Sequence, residues 1–117
     1  MTFQSQEDAN KARFQRYIQD AVDRHHVEAE IIKRLYEALE AADNPIIMVD
    51  DSEEENDVST LWEVYEQVFN LDEAYLYTES GAYVFVVMGE EWETIADYNI
   101  SLEVAIKPVN DWVAKNW

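Results

Sequence analysis

Carboxylate is the one reactive group this sequence supplies in quantity. Residues 35–106 hold nineteen Asp and Glu and not one Lys or Arg. Six of them, Asp50, Asp51, Glu53, Glu54, Glu55 and Asp57, stand within eight positions. Dense hard-oxygen ligands suit Ca²⁺, but the run lacks the EF-hand ligand spacing and its Gly at loop position six. It reads as a solvated loop, with a weak divalent site as the alternative. The two histidines, His25 and His26, are adjacent. Neighbours on a helix point about 100° apart, so the pair cannot readily grip one ion. The absence of Cys removes thiolate ligands, thiol nucleophiles and disulfides. Two Gly cannot build a phosphate cradle, and neither GxGxxG nor GxxxxGK[ST] occurs. A glycosidase needs two carboxyls of separated pKa in a cleft, which a small domain with few loops rarely offers. The expectation is a non-enzymatic protein with no catalytic, cofactor-binding or metal-binding residues.

What remains is charge. The chain carries 26 acids against 8 bases, a net charge of −18. Residues 1–34 balance six bases with six acids, and the tail sets Lys107 and Lys115 against Asp111. The whole excess therefore falls in 35–106. Ordinary soluble surfaces intersperse both signs, because like charges repel in the compact state. Solubility or adaptation to high salt is one reading. The sharper reading is a negative surface shaped for a basic partner. Bare phosphate backbones are repelled, so direct nucleic-acid binding is not expected.

The elements that must position these acids form one domain over 1–117. Leu, Ile, Val and Phe supply 30 of 117 residues, enough for a core. No apolar run is long enough for a membrane span. The first residues lack the pattern of a signal peptide, and with the lack of Cys this suits the cytoplasm.

Phe14, Tyr17, Ile18, Ala21 and Val22 recur at helical spacing, predicting a helix over 5–22 with Ser5 as N-cap. Val27, Ile31, Leu35, Leu39 and Ala42 predict a second over 26–42, its stripe offset by roughly 60° from the first; the chain either breaks near residues 23–26, the favoured reading, or continues as one long bent helix. Asp43-Asn44-Pro45 ends it. Ile46–Val49 reads as a buried strand. The acidic loop 50–57 follows, and Thr60 with Glu63 forms a capping box for a helix reaching about Asn70. Residues 74–79 and 82–88 read as two strands joined at Ser80-Gly81. The second is nearly all apolar and therefore central. Residues 90–97 read as a short helix with acids in its first turn. Ile100, Leu102, Val104 and Ile106 alternate as a half-buried strand. Pro108 suits the first turn of a last helix, 108–116. The predicted order is α-α-β-α-β-β-α-β-α: an α+β fold with a mainly antiparallel sheet of about four strands. Trp62 and Trp112 fall on apolar helix faces. Trp92, between Glu91 and Glu93, is either an exposed interface residue, as in the partner-binding set below, or a packed one, and Trp117 is either interface or frayed tail.

Charge density gives the acids a purpose. A compact chain of this length spans about 30 Å. Duplex DNA carries about 18 charges over that length, at one per roughly 1.7 Å. The nineteen acids match this density. Carboxylates held on rigid backbone make the better phosphate substitutes: Glu63, Glu66, Glu90, Glu91 and Glu93 on helices, Glu79 and Glu103 on strands. The expected partner-binding set adds Asp50, Asp51, Glu53, Glu54, Glu55, Asp57, Asp72, Glu73, Asp97 and Trp92.

In size, lack of Cys, mixed helix-and-strand order and the base-free stretch 35–106, the chain resembles the bacterial and phage DNA-mimic proteins. It looks most like the small neisserial kind that binds the histone-like protein HU. The likeness covers the character of the whole chain and no aligned motif, since mimics share charge geometry rather than sequence. It implies a cytoplasmic monomer that competes with DNA for the basic surface of an HU-like partner. The balanced segment 1–34 departs from that pattern. Phage mimics built mainly of acidic helices look less similar, given the strands read at 82–88 and 100–106. The competing classes are an immunity- or antitoxin-like inhibitor of a basic nuclease and an anti-restriction mimic.

Overall fold

Apolar side chains of the strands alternate, and the alternation divides the molecule into two layers. A computed structural model describes the backbone of residues 3–51 and 53–117, and the side chains of 8–51 and 53–117. Helices α1 (Phe3–Arg24), α2 (His26–Ala41), α3 (Leu61–Val68) and α4 (Glu103–Asn116) form one layer. Strands β1 (Ile46–Asp50), β2 (Glu55–Asp57), β3 (Glu73–Thr78), β4 (Tyr83–Val87) and β5 (Ile95–Tyr98) form the other. The sheet order is β2-β1-β3-β4-β5, with every pair antiparallel. The α+β class and antiparallel sheet are as expected.

The core lies between the layers. Ile46, Val49, Ala74, Leu76, Val84 and Val86 of the sheet meet Ile18, Ile31, Ile32, Leu35, Leu39, Val64, Val68, Ile106 and Val109 of the helices. The break between α1 and α2 falls at His25, whose φ of −112° and ψ of 48° leave the helical range. Asp43 takes a left-handed φ of 57° after α2, and the chain turns at Pro45 into β1. Thr60 caps α3 as its spacing predicts, accepting from the Glu63 N–H, while its hydroxyl donates to Glu63 Oε1.

Four expectations are corrected. The sheet has five strands rather than four, because residues 50–57 are not one loop. Asp50 ends β1, and Glu55–Asp57 pair back onto it as β2. Ser52 lies outside the described residues. Residues 90–97 are not a helix: a single 3₁₀ turn over Glu91–Glu93 leads directly into β5. Residues 100–106 are not a strand: a 3₁₀ turn over Ile100–Leu102 runs into α4. Leu102, Ile106, Val109 and Val113 also fit a helical stripe, and they are the residues that meet the core. Ile100 and Val104 are left 77% and 86% exposed. Pro108 consequently sits inside α4 rather than opening it. The order is α-α-β-β-α-β-β-β-α.

Helix α1 is also longer and less packed than its stripe suggested. It is helical from Phe3, so Ser5 is not its cap. Ile18 and Ala21 are buried, whereas Phe14 and Tyr17 are 39% and 50% exposed. The molecule measures 53 × 30 × 25 Å with a radius of gyration of 15.0 Å, longer than the 30 Å span expected.

Candidate partner-binding surface

Register decides which acids become neighbours. Strand β1 runs toward one end of the sheet and β2 returns from it, so the turn containing Asp51, Glu53 and Glu54 lies at that end. Asp51 shapes the turn. Its Oδ1 accepts from the Glu54 N–H at 2.7 Å and the Glu53 N–H at 2.9 Å. These bonds hold its carboxyl below the ordinary aspartate range, Glu54 contributing most. Strand β3 starts at the same end, pairing Asp50 with Tyr75 and Glu73 with Val87. The Met88 N–H donates to Asp72 O at 2.8 Å, and the Val87 N–H to Thr94 O at 2.8 Å. The Glu90–Glu93 turn therefore closes over the same end.

Topology thus gathers ten of the expected site carboxylates: Asp50, Asp51, Glu53, Glu54, Glu55, Asp72, Glu73, Glu90, Glu91 and Glu93. The remaining members are elsewhere. Glu63 and Glu66 stand on α3, and the Glu63 carboxylate accepts from Ser59 and Thr60 hydroxyls. Asp57 lies on β2 opposite Met48, and Asp97 on β5 opposite Phe85. Glu79 and Glu103 are not on strands. Glu79 is in the β3–β4 turn at the opposite end, its N–H bonded to Pro45 O, and Glu103 begins α4. Trp92 is half-buried, packing on Trp112 with ring centroids 5.6 Å apart. Trp62 and Trp112 pack against the core, and Trp117 is exposed.

Three ion pairs join described residues outside 35–106, Arg24–Asp20, Arg34–Glu30 and Lys107–Asp111, and His25 Nδ1 lies 3.6 Å from Glu28 Oε1. No family model, curated protein or solved structure matches this chain. Among the described residues, no group of three or more His, Asp or Glu is arranged to hold a metal ion. No described helix is long and apolar enough to cross a membrane.

Sequence reasoning missed two features. Glu28 is almost fully buried, its Oε2 accepting from the Gly89 N–H at 2.8 Å. Its spacing from Ile31, Ile32 and Leu35 on one helix face was the available signal. The second is the far face of the sheet. Tyr75, Tyr77, Tyr83 and Phe85 point away from the core, and among the described residues no helix packs over them. Tyr75 is 41% exposed and lies at the centre of the group.

Proposed function

We propose that this chain is a non-enzymatic DNA mimic. Its carboxylate surface occupies the DNA-binding face of a basic protein and competes with DNA there. The observation that carries the reading is the gathering of ten carboxylates at one end of the sheet. Five strands at roughly 4.8 Å spacing make that end about 19 Å wide. Duplex DNA presents about 11 charges over the same length. DNA-binding proteins meet phosphates first and sequence second, so carboxylates gathered at one end of the sheet satisfy the same basic groove. Binding is then largely electrostatic and weakens with salt. The reading takes the protein as a cytoplasmic monomer acting on an HU-like nucleoid protein, with no cofactor.

Displacement tests it. Labelled duplex bound to a purified HU-type protein is titrated with this chain at several salt concentrations. Release of duplex, weakening as salt rises, is the expected result. Reversing Glu90, Glu91 and Glu93 together to Lys should weaken competition about tenfold or more with the fold intact. Unchanged competition by that variant removes the 90–93 turn from the surface. No release of duplex from any basic DNA-binding protein overturns mimicry.

One observation favours a second reading, an immunity- or antitoxin-like inhibitor of a basic nuclease. The exposed aromatic face around Tyr75 is the kind of surface that forms desolvated anchors in tight interfaces. Such an inhibitor binds one nuclease very tightly, with modest salt sensitivity, and duplex does not displace it.

A further inference from the structure

We infer that the open face of the sheet, centred on Tyr75, is a docking surface for an arginine-bearing segment of a partner protein. The inference rests on the mimicry reading only for the sign of the partner's charge.

The face is built by strand alternation. Residues of β3 and β4 that point to the helices are Ala74, Leu76, Val84 and Val86. Their neighbours Tyr75, Tyr77, Tyr83 and Phe85 point the other way, and none belongs to the packed core. The four rings form one group. Tyr75 is 4.7 Å from Phe85, 5.8 Å from Tyr83 and 6.3 Å from Tyr77, centroid to centroid. The row through Tyr75 reads, strand by strand, Glu55, Asp50, Tyr75, Phe85, Asp97. Aromatic rings thus occupy the middle of the sheet, with carboxylates on both flanks. The Tyr83 hydroxyl holds Asp97 at the rim through a 3.0 Å bond. No Lys or Arg occurs on any strand.

This combination selects an occupant by chemistry. Aromatic faces stack planar groups: nucleobases or guanidinium. Nucleobases bring phosphates, which the flanking carboxylates repel. Guanidinium is planar, weakly hydrated and always charged, and it can stack on a ring while its edge N–H groups meet a carboxylate. Lysine satisfies the charge but not the stacking, because its ammonium is compact and strongly hydrated. A second copy of this chain offers Lys11, Arg13 and Arg16 on α1, but residues 1–34 carry as many acids as bases and so bring no net positive charge.

The test compares arginine and lysine oligopeptides of equal length, titrated into the full chain by calorimetry. The arginine peptide should bind about tenfold more tightly. Tyr75→Ala should abolish that preference and leave the weaker, salt-dependent binding common to both peptides. Tyr75→Phe should retain it. Folding of each variant is checked by circular dichroism. Ring-proton shifts of Tyr75 in the unaltered chain, followed by NMR as arginine peptide is added, give a readout that needs no variant. Equal affinity for the two peptides overturns the inference, as do shifts confined to residues 90–93. Binding of a single-stranded oligonucleotide to the face would assign it to nucleic acid and overturn it. A concentration-dependent dimer abolished by Tyr75→Ala would assign it to a second copy, with the same consequence. Duplex competition tests mimicry and the arginine-over-lysine ratio tests the sheet face, so the two readings fail separately.

Discussion

The hydroxyl of Tyr83 donates to Asp97 Oδ2 at 3.0 Å across the pairing of β4 with β5. The bond fixes an acid at the edge of an aromatic surface, and it raises the Tyr83 pKa above the usual 10, the bond itself being the largest cause. Tyr65 is shifted too. Its hydroxyl donates to Ala29 O at 2.8 Å inside the helical layer, and burial pushes it up to about 12. Both groups are ones whose neutral form the fold favours. Their contribution to stability is complete below the unfolded value of 10 and is lost as pH rises toward the folded value. Stability should therefore fall progressively between about pH 10 and pH 12, with Tyr65 ionising among the last of the tyrosines. Ultraviolet titration of the tyrosines alongside denaturant melts at each pH checks this. Ordinary titration of all seven tyrosines, with no stability loss over that interval, would contradict it.

Salt should stabilise this protein. The nineteen acids of 35–106 have no Lys or Arg among them, so compaction brings like charges together. The Debye length drops from about 10 Å at 0.1 M salt to about 3 Å at 1 M. The melting temperature should rise by several degrees over that interval and then level. A flat or falling profile in sodium chloride would mean the acids do not repel appreciably in the fold.

Glu28 should matter more than any exposed acid. Its carboxylate ties α2 to the end of β4 through the Gly89 N–H, and His25 Nδ1 lies 3.6 Å from its other oxygen. Glu28→Ala should cost about 1–3 kcal/mol, since it leaves a part-buried N–H without its acceptor. Glu28→Gln retains an acceptor and should cost less. Urea melts of the two variants give the comparison, and equal losses would show that charge rather than the hydrogen bond is what the site needs.

Thr60→Ala should destabilise by about 1 kcal/mol, the ordinary value for a lost N-cap. Thr60→Ser should restore most of it, because the Glu63 N–H needs only a hydroxyl oxygen. A melt in which Thr60→Ala behaves as the unaltered chain would remove the cap from the account of α3.

How far the sequence discloses this fold depends on how local each cause is. The Thr60–Glu63 box and the strands around Ser80-Gly81 are decided by neighbours a few residues apart, and the pattern reveals them, whereas the break at His25 carries no Gly or Pro and the pattern leaves a bent helix open. Strand β2 is different. Glu55, Asn56 and Asp57 have little intrinsic preference for extended structure, and they form a strand because β1 offers an unpaired edge. The start of α4 was obscured by two periods laid over one segment. Leu102 and Ile106 satisfy both alternation and helical spacing, and packing against α2 selects the helix. The apolar run Ala82–Met88 reads as a central strand, and β4 does pair on both sides, yet only one of its faces packs against the core. That leaves the aromatic side open, a fact set by where the helices lie. The candidate site follows the same rule. Composition supplies the acids, but Asp50 and Glu90 are forty residues apart and come to the same end of the sheet only through strand register.

Strand β2 has a further consequence for behaviour at high concentration. An open sheet offers its outermost strand as a template on which another extended chain can add, the first step of fibril growth. Here one of the two outermost strands, β2, is three residues long and two of them are acids, Glu55 and Asp57, while the other, β5, carries Asp97. An incoming copy would have to lay its own carboxylates beside these, at the roughly 4.8 Å spacing of paired strands, and would be turned away. Protonating the acids removes that refusal. The protein should therefore be most prone to fibrillar assembly not when crowded at neutral pH but when acidified toward its isoelectric point near 4.1.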